Sequence, residues 1–578
     1  MTETSAERAP NQGVRLIIQS QSATSARLED FVTRQKGRVL RRFKRFRATT
    51  VELPKEAVRA LADLPEVAYI SPDRPVRSYG HVSLTTGADA VGSQVNSSNV
   101  SYTLDGTGIG IAVLDSSISA THDSFSDANG NSRIVANVDF TGEGIPVDDP
   151  FGHGTHVAGL AAGNASISNG AYTGIAPNAH LINLRVLDSQ GLGTTTGFLS
   201  AIEWIMDNRQ QYNIRVVNLS LGTLAVDSYR NDPLCLAVRD AVDAGLVVVT
   251  AAGNDGKNSS GQKVYGRIHS PGTEPSAITV GATNTYGTDS RSDDVVTTYS
   301  SRGPTRSYWT DSGGGIHHDN LIKPDLVAPG NRLASAKSKN NSISAAHPEL
   351  DAYSDGDDDH AMMYLNGTSM ATPLVSGAAA LILQANPNLT PNMVKTILMY
   401  TAQPLSGFNT LEQGTGQLNI EGAISIATKV RGDFSSSLAL GASLLNGNAP
   451  TPTTTIAGHQ FPWAGGVLVG HTYVNGVELI THYQRIYDLG VLLSDGILAS
   501  DGILASDQTM LTNGILASDS LQLSDGQSLG SGTFILGTGI LASDGILASD
   551  GILASDGILA SDNLPDEPNP SIPLTSGD

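Results

Sequence analysis

From about residue 105 onward the chain alternates short runs rich in Val, Ile and Leu, without strict apolar-polar alternation, with longer helical stretches. The runs fall at residues 109–114, 181–187, 216–219, 247–251 and 278–282, and the helical stretches at 153–163, 198–208 and 235–244. A strand with water on one face alternates apolar and polar residues, whereas a strand that is apolar throughout must be covered on both faces. The pattern predicts a doubly wound α/β core on a mainly parallel sheet, and such sheets carry their sites at the C-terminal ends of the strands. With 578 residues, 39% of them hydrophobic, the chain can bury a core of that size and still build further domains.

A smaller unit precedes this core. Strands at 14–19, 39–43, 49–53 and 67–70 and helices at 26–35 and 55–64 run in the order β-α-β-β-α-β, the split arrangement of a ferredoxin-like domain. It is taken to span 14–78, behind a disordered tail at 1–13. Its charge is unlike the rest: Arg27, Arg34, Lys36, Arg38, Arg41, Arg42, Lys44, Arg45 and Arg47 crowd into one stretch, while the whole chain has 35 Lys and Arg against 56 Asp and Glu, a net −21. A basic segment on an acidic body suggests pairing between two parts of one chain, and a solvated basic face is an equal alternative. The overall charge repels phosphate backbones, so nucleic acid is excluded as a partner. No apolar run reaches the roughly 18–20 residues of a membrane span, and the first ten residues lack the pattern of a secretory leader. The single cysteine, Cys235, forbids an intrachain disulfide and does not fix the compartment.

Past residue 430 Ser, Thr, Pro and Gly dominate, with an apolar island at 461–493, so 431–490 reads as a linker with a small C-terminal segment. Then Gly-Ile-Leu-Ala starts at Gly496, Gly502, Gly514, Gly539, Gly545, Gly551 and Gly557, giving a hexapeptide-repeat tail at 491–562. A β-solenoid is one reading of such a period, and a flexible or self-associating low-complexity tail is the favoured one. The Pro-rich end, 563–578, is expected to be disordered.

One set of residues carries chemistry. Asp115 ends the first apolar run, His153 opens Gly-His-Gly-Thr-His-Val-Ala-Gly, and Ser369 lies in Asn-Gly-Thr-Ser-Met-Ala-Thr-Pro. A serine hydroxyl is a weak nucleophile at neutral pH, so an imidazole must take its proton and a carboxylate must hold that imidazole. The order Asp, His, Ser is one of the known chain orders for this triad.

Across roughly residues 79–430 these segments, with Ser220-Leu-Gly222, Ala251-Ala-Gly-Asn254, Tyr299-Ser-Ser-Arg-Gly-Pro304 and Lys323-Pro-Asp-Leu-Val-Ala-Pro-Gly330, resemble the subtilisin-like serine protease family. The resemblance implies that Asp115 orients the base, His153 is general base and acid, and Ser369 is the nucleophile. It implies an oxyanion donor in Asn254, acting with the Ser369 N–H. Gly191, Leu192 and Gly193 on one side and Ser220, Leu221 and Gly222 on the other would clamp an extended peptide substrate. Ala251, Ala252 and Gly253 would complete the pocket for the residue before the scissile bond, with His269 near its floor making it shallower or more polar. Residues 51–73 resemble the end of the family's propeptide, which implies an intramolecular inhibitor released by cleavage between Asp73 and about Gly80. No cofactor is implied for the chemistry. A structural Ca²⁺ is left open: Ser124 stands where many relatives carry a calcium-binding Asp, and Asp355, Asp357, Asp358 and Asp359 form an acidic cluster of their own. Ser117 stands where the family usually has Gly. His153 and His156 lie three apart, but without a third ligand a zinc site is not expected. The expected function is thus a self-inhibited endopeptidase, secreted or at the cell surface, with the cytoplasm left open. The alternative is a surface or assembly protein whose working part is the repeat array and whose protease domain serves its maturation.

Overall fold

The computed structural model describes residues 14–20, 26–43, 45, 47–72, 82–95, 101–144, 148–433, 438–439 and 441–489, with two short strands at 520–522 and 528–531. The tail at 1–13, the hexapeptide repeats and the Pro-rich end lie outside the described residues. So does the junction at 73–80. The chain divides into two compact units, Met1–Ser78 and Tyr79–Asp578.

The first unit runs β1 (Val14–Ser20), α1 (Ala26–Arg34), β2 (Arg38–Phe43), β3 (Ala48–Leu53), α2 (Val58–Ala62) and β4 (Val67–Pro72). Its sheet has the order β2-β3-β1-β4, with every neighbouring pair antiparallel. Leu16, Ile18, Leu28, Val32, Val51, Leu53 and Leu61 form its small core. Two of the crowded arginines have partners inside the unit, Arg38 on Glu52 at 2.8 Å and Arg42 on Glu29 at 2.7 Å.

In the second unit the apolar runs become the centre of a sheet: β5 (Gly110–Asp115), β6 (Ile134–Asp139), β7 (His180–Arg185), β8 (Ile214–Leu219), β9 (Val247–Ala251), β10 (Ile278–Asn284) and β11 (Val295–Val296). Their order is β11-β10-β9-β8-β5-β7-β6, and β12 (Leu326–Pro329) also pairs with β10. Every pairing is parallel except that of β11. β5 and β9 are buried at every position, as runs apolar on both faces require. Helices α3 (His153–Ala162), α4 (Thr195–Asn208), α5 (Pro233–Asp243), α6 (Thr368–Ala385) and α7 (Pro391–Thr401) cover the two faces. Helix α6 is the one described helix long and apolar enough to cross a membrane, and it is the central core helix.

The segment read as a linker is part of this core. Trp463, Val467, Leu479, Ile480, Tyr483 and Tyr487 are buried in the same apolar cluster as α6 and α7, and Asn392 of α7 donates to the Ile486 carbonyl at 2.9 Å. These residues lie in the apolar island read at 461–493, carried by pieces as short as the strand Gly466–Val469 and the helix Glu478–Thr481, too short to show a period in the sequence.

Candidate active site

Three strand ends and two helix starts build the site. Asp115 is the last residue of β5, and its Oδ1 accepts from Nδ1 of His153 at 2.7 Å. The Ser116 N–H donates to the same oxygen at 2.7 Å, and both members of the pair are buried. Burial opposes a charge on His153, but the adjacent Asp115, its hydrogen bond and Asp149 outweigh that, and the imidazole pKa lies above its ordinary value.

Ser369 is the second residue of α6. Its Oγ donates to the Ser220 carbonyl at 3.1 Å, and Ser220 Oγ donates back to the Ser369 carbonyl at 2.8 Å. That carbonyl is free because Pro373, four residues on, has no N–H to give it. The proline thus leaves an acceptor that ties the segment after β8 to the start of α6. Gly367, before the helix, has φ +140 and a site where a Cβ would lie 3.4 Å from Asn254 Nδ2. Asn254, beyond the end of β9, accepts through Oδ1 from the Thr368 N–H at 2.9 Å and the Thr368 hydroxyl at 3.1 Å. Those two donors settle which end of the amide accepts, so Nδ2 is its donor end.

His269 lies between two of the predicted pocket segments. A Cβ on Gly253 would come within 2.7 Å of its ring, and one on Gly222 within 3.2 Å of its Cβ. Its N–H donates to the Ala252 carbonyl at 3.0 Å, and its Nε2 meets Asp255 Oδ2 at 2.7 Å. On the other side, Gly191, Leu192 and Gly193 form a turn next to the site: Leu187 bridges Gly193, and the Phe151 ring, tilted 6.4 Å from His153, packs where a Gly191 Cβ would be. Leu192 and Leu221 keep exposed surface, as residues at a cleft edge do.

A model of the subtilase family matches residues 106–423, more than half of the chain. The chain belongs to the subtilase family. It is therefore a serine peptidase by family, and a second model, "Putative peptidase inhibitor domain", matches residues 1–73. Among curated relatives, serine protease AprX of Bacillus subtilis (strain 168) is 36% identical over 331 residues, 56% of this chain and 67% of that protein. Subtilisin E of the same organism is 32% identical over 401 residues, covering 69% of this chain and 86% of its own. An extracellular serine proteinase of Thermus sp. (strain Rt41A) is 32% identical over 361 residues, 62% of this chain and 71% of its own.

One residue of this subtilase bears on the site without having been picked out from the sequence. Asp149, four residues before His153, is fully buried and accepts four hydrogen bonds. No capping pattern marks it, since the cap position of the helix is Gly152. Ser117, in the family's glycine position, has φ +138, a conformation that favours glycine. Its carbonyl closes on Gly154, where no Cβ fits.

Calcium does not fit beside Ser124. The buried Arg133 guanidinium donates there to the carbonyls of Ser124, Ala162, Ala179 and Ser126 at 2.7, 2.6, 2.6 and 3.3 Å. A second cation would share those oxygens with a positive charge. In the acidic cluster the carboxylates point to separate partners: Asp355 to His360, and Asp359 to Thr121 and Lys339. No group of three or more metal-ligating side chains occurs among the described residues. His156 Nε2 meets the carbonyls of Leu333 and Met363 at 3.0 and 3.1 Å, and burial pushes its pKa down to about 3. It is a neutral cross-brace. His122 donates through Nε2 to the Ala361 carbonyl at 2.9 Å, and burial pushes the Cys235 thiol up, away from reactivity.

Proposed function

We propose that this subtilase is a serine endopeptidase that cleaves protein chains through an acyl-enzyme on Ser369 and is made with its own inhibitor at the N-terminus. The observation that carries the reading is the buried Asp115–His153 hydrogen bond at the C-terminal end of β5, in the same unit as Ser369 at the start of α6 and Asn254 beyond β9. In attack, the Ser369 hydroxyl turns from the Ser220 carbonyl to His153 Nε2 and gives up its proton as Oγ bonds to the scissile carbonyl carbon. The oxyanion takes hydrogen bonds from the Ser369 N–H and Asn254 Nδ2, an arrangement worth about 3–4 kcal/mol per donor. His153 then passes the proton to the leaving amine, and water releases the acid by the same steps in reverse order. No cofactor enters these steps.

An extended peptide would lie as an added strand between 191–193 and 220–222, held by main-chain hydrogen bonds that tolerate many sequences. Selectivity would come from the pocket between 220–222 and 251–253. There the imidazole of His269, braced by Asp255, takes up depth and offers a polar floor. Large aromatic side chains should be poor at the position before the cut and small or hydrogen-bonding ones good; a panel of peptides varied there should lose that preference in His269→Gly. Unchanged preference would remove His269 from the pocket.

The strand order of the first unit supports a ferredoxin-like inhibitor domain, and the inhibitor-domain match supports its role. A zymogen suits export before activation, and the extracellular relative supports secretion. The test of the whole reading is labelling with a fluorophosphonate followed by peptide mapping. The label should sit on Ser369 and vanish in His153→Ala; a label elsewhere, or none on an active enzyme, would overturn it.

A further inference from the structure

The residues on either side of His153 are held by one buried carboxylate that also reaches the loop of Asp115. Asp149 Oδ1 accepts from the Ser116 hydroxyl at 2.8 Å and the Gly152 N–H at 2.9 Å. Its Oδ2 accepts from the N–H and the hydroxyl of Thr155, both at 2.9 Å. Ser116 in turn accepts from the Gly154 N–H at 3.0 Å, while its own N–H donates to Asp115 Oδ1. The backbone is therefore fixed immediately before and immediately after His153, and Asp115 is fixed by the residue that follows it.

The hydrogen-bond partners also favour a charged Asp149. Ser116 Oγ accepts from Gly154, and Thr155 Oγ1 accepts from the Ser119 N–H at 2.9 Å. Each hydroxyl thus has an acceptor role already filled and points its proton at Asp149. Two of the four partners are backbone N–H groups that can only donate, and the two hydroxyls, each accepting from a backbone N–H, are placed to donate to Asp149 as well. Burial and the nearby Asp115 charge raise the Asp149 pKa, while the four donors around its two oxygens favour the anion. The charged and titratable groups around His153 are then Asp115, Asp149 and the neutral His156, a turn further along α3.

We propose that Asp149, acting through Ser116, is a positioning residue of the hydrolytic machinery: it clamps His153 against Asp115 and adds a second buried negative charge that favours the imidazolium formed in each half-reaction. Asp149 touches no reacting atom. Its removal should act on kcat more than on KM, because the imidazolium exists only after the chemistry begins.

The inference rests on the triad reading above, and its test separates the two. In the full chain, Asp149→Asn keeps the side chain's shape and one acceptor oxygen and removes the charge. Ser116→Ala breaks the link and leaves Asp149 three of its four donors. Against wild type, Asp149→Asn should lower kcat by about tenfold or more at little change in KM, and move the acid limb of kcat/KM down by about one pH unit. Ser116→Ala should lower kcat with a smaller shift of that limb. Should Asp149→Asn fail to mature, the same shift is read by NMR titration of ¹⁵N-labelled His153 in the Ser369→Ala background, where no processing is needed. An unshifted His153 titration in a folded Asp149→Asn chain, or a wild-type kcat in Ser116→Ala, would overturn the proposal while leaving the triad standing. A wild-type chain without hydrolytic activity would instead remove the triad reading on which it rests.

Discussion

At Ser117 the chain keeps a side chain where the backbone calls for none. Its φ of +138 carries a strain of about 1–3 kcal/mol for a residue with a Cβ, against which stands a hydrogen bond from Asn183 Nδ2 at 3.1 Å, worth about 1 kcal/mol. Ser117→Gly should therefore stabilise the folded chain by about 1 kcal/mol, read as a higher unfolding midpoint in the Ser369→Ala background; a lower midpoint would mean that the Asn183 bond outweighs the strain. Gly154→Ala should act in the opposite sense, because its Cβ would meet the Ser117 carbonyl and separate Asp115 from His153. His153 itself sets a pH dependence. Burial alone would lower its pKa, but the two carboxylates raise it above an ordinary imidazole, so hydrolysis should fail as pH falls while free histidine is still largely neutral. An acid limb below that of free imidazole would contradict the charge assignment around it. The residues proposed as the triad were legible as candidates because each sits in a short local pattern. Arg133 was not, because its role depends on which distant carbonyls the fold brings to it, and Asp149 was not, because its link to the site runs through Ser116, 33 residues earlier.

At the scale of elements, buried cations hold strands and helices together. Arg133 ties the loops around Ser124, Ala162 and Ala179 through four carbonyls. Arg133→Met should cost about 3 kcal/mol or more, since it takes the guanidinium from the buried Ala162 and Ala179 carbonyls, while those of Ser124 and Ser126 keep donors in Asn164. Urea unfolding measures it, and a loss within error of zero would mean that water replaces the guanidinium. Lys395 of α7 lies with Lys323 around one aspartate: Asp325 Oδ2 meets Lys323 Nζ at 2.8 Å and Oδ1 meets Lys395 Nζ at 2.9 Å. Burial pushes the Lys395 pKa down to about 7, against an ordinary 10.5. Between those values the unfolded chain binds the proton more tightly than the folded one, so the contribution to stability rises with pH across that window and its cost is full below it. Urea midpoints of the Ser369→Ala chain should rise from about pH 7 to about pH 10, apart from any effect of other groups, and Lys395→Met should flatten the rise. A slope that survives in Lys395→Met would assign it to another group.

At the scale of the molecule, the parallel sheet was legible because runs apolar on both faces leave few alternatives, whereas the packing of 441–489 was not, because its elements, such as Gly466–Val469 and Glu478–Thr481, are too short to show a period in the sequence. A chain ending at Leu489 should fold and keep its activity, and one ending at residue 433 should not, since it strips partners from α6 and α7. Far-ultraviolet circular dichroism of the two truncations decides this, and a folded shorter chain would show that the segment is an appendage after all. The central claim is that Ser369 is the nucleophile of a protease that removes its own inhibitor domain. Intact masses of the wild-type chain and its Ser369→Ala variant, followed over time after expression, test it most directly. The account predicts that the wild type alone loses the N-terminal unit by a cut between residues 73 and 80, while Ser369→Ala stays whole. The same cut in both, or none in either, would contradict it.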